Sequence, residues 1–204
     1  YGVLRGRQIL TSIPNTAKAL NNYLDWKDID FYARDAVAAC VENNLMGGTD
    51  STTFSPNNTT TRGMIVTVLY RLTGEPASGT ASQFTDVAAG AWYAKAVAWA
   101  ASRDIVNGTS ATTFAPNSPI TREQMAAILY RYAAYKGYDV SQKADLSGYT
   151  DASSISGYAK DALAWANAQK LITGVTDTTL NPQGSATRAQ VATILMRLCE
   201  TVVK

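Results

Sequence analysis

The chain contains no histidine. That removes the commonest general base and the commonest side-chain ligand for a transition metal. An enzyme built without it needs a carboxylate pair, or a lysine or cysteine nucleophile in a defined setting. No such constellation stands out, so no catalytic residue, metal site or cofactor is expected. Cysteine is scarce as well: Cys40 and Cys199 are the only two, and neither lies in a CxxC. They suit buried small hydrophobes; a disulfide between them is the alternative, which spacing alone does not decide. No apolar run approaches the ~18 residues of a membrane-crossing helix. Charge of one sign is lacking too, since a net charge of +2 over 204 residues announces neither nucleic acid nor an anionic membrane. The first residue is Tyr1 rather than Met, as in a processed or excised chain.

What the chain does have is repetition, which dictates architecture. Residues 56–71 read PNNTTTRGMIVTVLYR, 116–131 read PNSPITREQMAAILYR and 182–197 read PQGSATRAQVATILMR. In each, a Pro-led polar turn reaches Thr-Arg (Thr61-Arg62, Thr121-Arg122, Thr187-Arg188), and an apolar-periodic segment ends at an Arg. The apolar positions Ile65, Val68, Leu69 and Leu72, with Met125, Ile128, Leu129 and Tyr132, and Val191, Ile194, Leu195 and Leu198, fall at i, i+3, i+4 and i+7. That pattern predicts an amphipathic helix in each copy.

The similarity extends upstream. Trp26-Lys27-Asp28-Ile29 is set against Phe84-Thr85-Asp86-Val87 and Tyr149-Thr150-Asp151-Ala152. A first helix follows, with Tyr32, Trp92 and Tyr158 at equivalent places and a stripe through Val37, Val41 and Leu45 repeated as Val97, Ala101, Ile105 and as Leu163, Asn167, Leu171. Next comes a loop running from Gly48 to Pro56, Gly108 to Pro116 and Gly174 to Pro182, in which glycine is expected to supply a backbone angle other residues resist and Phe54, Phe114 and Leu180 to plug the core. The expected organisation is all-α: a leader over 1–25 packing on the repeats, with a short helix from Asn15 or Thr16 through Leu24, then helix-loop-helix units at 26–73, 84–133 and 149–200. One such unit cannot bury its own apolar faces, so the three share a core.

The Thr of each Thr-Arg pair fits a helix N-cap. Gln124 and Gln190 complete a capping box, whereas Met64 is expected to break it. The Arg is harder to place, because a cation in the first turn opposes the helix dipole. Two readings stand. A helix N-terminus with free N–H groups and an Arg fork makes an anion site; alternatively each Arg pairs with a neighbouring unit's Asp28, Asp86 or Asp151. Arg71, Arg131 and Arg197 suit helix C-termini without a ligand. Tyr32, Trp92, Tyr158, Trp99 and Trp165 are either core or a stacking platform for a sugar ring. Asp50 and Asp177 lie in the Gly loops, but the calcium-loop pattern is absent.

Residues 84–133, with F-x-D-V, Trp92, the Gly108-to-Pro116 loop and I-T-R before an apolar helix, strongly resemble a surface-layer homology motif, and 26–200 resembles three in tandem. The resemblance implies a pseudo-threefold arrangement around a central three-helix bundle. It also implies a secreted, non-catalytic module of the bacterial cell surface that anchors to secondary cell-wall polysaccharide, often bearing pyruvylated N-acetylmannosamine, whose ketal carries a carboxylate. The isolated module is expected to be monomeric; protein–protein interaction or self-assembly is the alternative function. Carried over by position, the ligand-binding residues are Arg62, Arg122, Arg188, Tyr32, Trp92, Tyr158, Gly48, Gly108 and Gly174. Met64, Gln124 and Gln190 depart from the Glu common in the family, and Asn44, Asp104 and Lys170 replace a Gly that commonly ends the first helix. Of the grooves between motifs, one fed by Arg122 and Trp92 is the expected favourite.

Overall fold

A computed structural model describes residues 16–203. The leader's residues 1–15 lie outside the described residues. Among the described residues seven α-helices occur in order: α1 (Thr16–Leu20), α2 (Arg34–Glu42), α3 (Arg62–Leu72), α4 (Ala94–Ser102), α5 (Arg122–Tyr135), α6 (Lys160–Ala168) and α7 (Arg188–Thr201). Among the described residues no strand forms beyond three isolated bridges, Thr59 to Thr187, Thr61 to Pro119 and Thr121 to Ser185. The chain is all-α, with α1 packed on α2. Leu24 lies beyond α1 and is exposed, so the leader's apolar stripe stops at Leu20.

Each second helix starts at its Thr. Thr61, Thr121 and Thr187 are extended in backbone, and their hydroxyls accept the N–H of Met64, Gln124 and Gln190 at 3.2 Å in every case. The Gln side chains return the bond to the cap N–H, as a capping box requires. Met64 was expected to break the box. Its sulfur instead accepts the Thr61 N–H at 3.5 Å, because a thioether is a weak acceptor.

Each first helix ends sooner than its stripe predicts. Leu45, Ile105 and Leu171 lie past the helix end, after Asn44, Asp104 and Lys170 at φ of 55°, 55° and 57°. The N–H groups of Leu45, Ile105 and Leu171 then close back on the carbonyls of Cys40, Ala100 and Ala166. This left-handed cap turns the three apolar side chains into the core. Cys40 and Cys199, on the packed pair α2 and α7, are buried free thiols whose pKa burial pushes up to about 12.

The loop glycines are not in the left-handed region, contrary to expectation. Space demands them. A Cβ on Gly108 would sit 2.3 Å from the Ser110 carbonyl oxygen and 2.6 Å from the Phe84 ring, and Gly48 and Gly174 are crowded in the same way. The strained residues are Ser55, Ala115 and Asn181, at φ of 58°, 56° and 53°, each immediately before the loop proline. A left-handed angle is costly for a residue with a Cβ. It is held by one aspartate per unit. Asp86 accepts the N–H groups of Phe114 and Ala115 at 2.8 and 2.7 Å, and Asp151 those of Leu180 and Asn181 at 2.9 and 2.7 Å. In the first unit this role falls to Asp25, bonded to Phe54 and Ser55 at 2.9 and 2.7 Å, and not to Asp28. The stretch equivalent to Phe84–Val87 is therefore 23–26, three residues before the start read from the sequence. The rest of the pattern agrees: Leu24, Thr85 and Thr150 donate to Thr52, Thr112 and Thr178.

The units join in a cycle. Each second helix packs mainly on the first helix of the following unit: α3 on α4, α5 on α6, and α7 back on α2. Where the chain enters the second helices, Thr60 donates to Ala186, Ala186 to Ile120 and Ile120 to Thr60, a closed triangle of backbone bonds at 2.9, 3.4 and 2.8 Å. Such a cycle is the connectivity a threefold arrangement needs, but the principal helix packing runs between neighbouring units and not among α3, α5 and α7.

The Asp86 and Asp151 clamps make stability acid-sensitive. At Asp86, burial pushes the pKa up, but the Phe114 and Ala115 N–H groups outweigh it and leave it below the usual 3.8. At Asp151 the Leu180 N–H leads, and the pKa is again lowered. A depressed folded pKa means the stabilisation is complete above the ordinary carboxylate value and is lost as pH falls through the folded one. Unfolding followed by circular dichroism is expected to weaken below about pH 4, and Asp86→Asn to be less stable at neutral pH with a flatter dependence in acid.

Candidate functional site

The arginines of the Thr-Arg pairs are not exposed at free helix ends. Arg62, Arg122 and Arg188 are only 5%, 7% and 5% accessible. Their own N–H groups donate to Ser118, Gly184 and Asn58 at 3.0, 2.9 and 2.9 Å, and the next N–H of each helix, from Gly63, Glu123 and Ala189, to Pro116, Pro182 and Pro56. The first-turn donors that the sequence offered to an anion are thus occupied by the neighbouring unit's loop.

The guanidiniums follow the same path. Nε of Arg62, Arg122 and Arg188 donates to the carbonyls of Phe114, Leu180 and Phe54 at 2.8, 2.8 and 2.9 Å. Nη2 donates to Asn107 at 3.0 Å for Arg62, and to Thr173 and Gly47 for the other two. Arg62 and Arg188 also lie over the Phe114 and Phe54 rings, 4.6 and 4.7 Å from the centroids. The alternative of carboxylate pairing is not met either, since no arginine forms an ion pair among the described residues. Asp86, Asp151 and Asp25 act at longer range. Burial lowers each guanidinium's pKa, and these carboxylates partly oppose that.

Three grooves open at these sites, and each draws on all three units. The first is lined by Arg62, by Asn107, Gly108 and Thr109, by Gln124, Ala127, Ile128 and Arg131, and by Tyr158. The second brings Arg122 to Gly174, Gln190, Arg197 and Tyr32. The third brings Arg188 to Gly48, Met64, Arg71 and Trp92. One unit supplies the buried arginine, the next supplies loop and second helix, and the one after supplies the aromatic wall. The grooves hold about 450, 290 and 390 Å³, around the lower end of the ~300–1,000 Å³ typical of small-ligand sites.

The aromatics divide cleanly. Trp99 and Trp165 are core, whereas Tyr32, Trp92 and Tyr158 are 57%, 60% and 54% exposed at the groove edges. Burial and then the Asp30 carboxylate raise the Tyr32 pKa, and burial with Glu123 raises that of Tyr158. Glu123 is itself buried and accepts the Ser156 N–H and hydroxyl at 3.0 and 2.7 Å and the Tyr158 hydroxyl at 3.4 Å, which anchors that wall. Trp92 stands edge-on to Tyr93 at 5.0 Å, and Tyr93 packs against Gly63. The expected pairing of Arg122 with Trp92 is not made: Arg122 shares a groove with Tyr32, and Trp92 with Arg188. Wall and floor of a groove come from units on either side of the one between, which a linear alignment of repeats does not reveal.

Sequence reasoning missed Arg71, Arg131 and Arg197 as groove residues. Arg131 and Arg197 do not cap helix ends, since α5 and α7 run on to Tyr135 and Thr201. The signal was present as a second stripe at i, i+3, i+4 and i+7, one residue behind the core stripe: Met64, Thr67, Val68, Arg71; Gln124, Ala127, Ile128, Arg131; Gln190, Thr193, Ile194, Arg197. No cluster of His, Cys, Asp and Glu that could hold a metal occurs among the described residues, and no helix there is long and apolar enough to cross a membrane.

The sequence matches the family described as S-layer homology domain over residues 22–63, 83–126 and 148–192. It is similar to a surface-layer 125 kDa protein of Lysinibacillus sphaericus, 34% identical over 181 residues, covering 87% of this chain and 15% of that protein. An endoglucanase of Bacillus sp. (strain KSM-635) is 33% identical over 186 residues, 90% of this chain and 20% of the enzyme. A cellulosome-anchoring protein of Acetivibrio thermocellus is 28% identical over 152 residues, 72% of this chain and 33% of that protein. The chain thus spans a third or less of each of these relatives.

The burial of Arg122 has a measurable consequence. Arg122→Ala strips two loop carbonyls of their donors and is expected to cost about 2–4 kcal/mol. Arg131→Ala, at a half-buried groove position, is expected to stay within ~1 kcal/mol. Urea unfolding of both variants checks the contrast.

Proposed function

Because the chain belongs to the S-layer homology domain family, we propose that it is a non-catalytic module that anchors its parent protein to the bacterial cell wall by binding an anionic secondary polysaccharide. The ligand is a pyruvylated sugar of that polymer, held in the three grooves at the cell surface. One observation carries the reading: each groove sets two arginines against an exposed aromatic ring. The arginines answer a carboxylate and the ring answers the apolar face of a sugar.

The two arginines divide the work. The buried one uses Nε and Nη2 on loop carbonyls, which leaves Nη1 for the ligand carboxylate. Arg71, Arg131 and Arg197, half-buried on the second helices, supply the second cation. Gly48, Gly108 and Gly174 keep the loop close enough for the buried Arg to reach its carbonyls, because a Cβ there would displace the loop's own backbone. The relatives named as enzymes support a non-catalytic part, since this chain covers only 20%, 9% and 18% of the endoglucanase, an amylopullulanase and an exoglucanase.

A protein-interaction reading has one observation in its favour. Phe31 and Leu24 are 87% and 82% exposed, and Phe31 joins Leu20 and Trp26 around a separate concavity. Light scattering tests it, and concentration-dependent oligomers without sugar affinity would favour it.

Sedimentation with purified wall sacculi tests the anchoring reading. The module is expected to pellet with intact sacculi and to remain in solution once the secondary polymer has been stripped; pelleting that survives stripping would sink the proposal. The triple variant Arg71→Ala, Arg131→Ala, Arg197→Ala is expected to stay folded and lose most of the binding.

A further inference from the structure

The three grooves share a plan but differ at their inner ends. Thr60, Ile120 and Ala186 occupy equivalent places and do the same backbone work in the triangle that joins the units. Apolar side chains suffice for that work, as Ile120 and Ala186 show. Thr60 nevertheless carries a hydroxyl. The residue is fully buried, and Oγ1 has no hydrogen-bond partner within the protein. An unpaired buried hydroxyl has given up its water without gaining a bond in return, which is a net cost to the fold. Thr60 also lines the Arg188 groove, whereas neither Ile120 nor Ala186 lines the groove of its own unit.

Two further differences fall in the same groove. Met64 stands where the other grooves have Gln124 and Gln190, and Trp92 where they have Tyr158 and Tyr32. The Met64 sulfur is engaged with the Thr61 N–H, so this part of the groove presents thioether carbon in place of an amide. The Arg188 groove is therefore more apolar along its length and has one unsatisfied hydroxyl at its inner end.

We propose that Thr60 is a specificity-determining residue of the Arg188 groove, its hydroxyl bonding a polar substituent that a bound sugar directs inward from the ring stacked on Trp92. This rests on the anchoring reading above and adds that the three grooves select different parts of the polymer. The Arg62 and Arg122 grooves, with Gln at the side and no hydroxyl at the corresponding depth, take the anionic sugar without that contact. The Arg188 groove takes a residue whose hydroxyl or amide reaches Thr60 while its carbon face lies along Met64 and Trp92.

Trp92 makes the test specific to one groove, because it is the only tryptophan lining any of the three. In 13C,15N-labelled protein titrated with pyruvylated N-acetylmannosamine, the Trp92 indole N–H resonance reads this groove and the Tyr32 and Tyr158 ring C–H resonances read the others. Thr60→Val keeps the shape and removes the hydroxyl. It is expected to weaken binding at Trp92 by about five- to tenfold, to leave the two tyrosine grooves unchanged, and to melt at or above the wild-type temperature because the unpaired group is gone. Thr60→Ser, which restores the hydroxyl, is expected to recover most of the affinity. A Thr60→Val protein that titrates Trp92 like the wild type overturns the inference, as does an equal loss at all three grooves. If the sugar moves none of the three aromatics in the wild-type protein, the anchoring reading itself fails and this inference falls with it.

Discussion

A helix begins with N–H groups that its own carbonyls cannot reach, and this molecule is organised around how the second helices satisfy theirs. The cap Thr takes one. The next unit's proline loop takes two more, from the arginine and the residue after it. A unit on its own therefore cannot finish its second helix. The loop that completes it must hold a left-handed residue before a proline, and an aspartate from that same next unit holds the residue there. Helix start, loop shape and unit-to-unit contact are one hydrogen-bonded system, repeated until the third unit closes on the first.

The same system explains an arginine where helix electrostatics disfavours one. Its charge does not face the dipole unaided, because its fork lies among the carbonyl oxygens of the neighbouring loop. Burial makes that charge expensive to hold, which suits a guanidinium better than an ammonium, since it is weakly hydrated and presents donors in a fixed plane. The arginine so fixed is also the floor of a groove. Nε and Nη2 carry the structural role, and the proposed ligand contact falls to Nη1 of the same side chain, so a structural arginine and a ligand-facing one need not be alternatives.

Much of this was legible in the sequence, and the limits have physical causes. The second helices, their Thr caps and the plugs Phe54, Phe114 and Leu180 follow from spacing and side-chain type alone. The aspartate of the first unit was misplaced because Trp26 resembles the aromatics Phe84 and Tyr149, whereas their true counterpart is Tyr23, whose hydroxyl accepts the Gly48 N–H. Met64 was underestimated because sulfur is left out of the usual capping rules. The partners of each groove were hidden because they come from three successive units in a closed cycle. Nothing in a linear reading says that Trp92 faces Arg188 across 96 residues of chain.

The three-unit make-up of the grooves also bears on how such a chain can change over generations. The third unit lends Arg188 to one groove, Tyr158 to another, and loop and helix to the remaining one. Losing a single repeat would therefore damage every groove at once, and a fourth would have no place in a cycle closed by three backbone bonds. Point substitutions at positions such as 60, 64 and 92 are left as the route by which grooves of one plan come to differ in their lining.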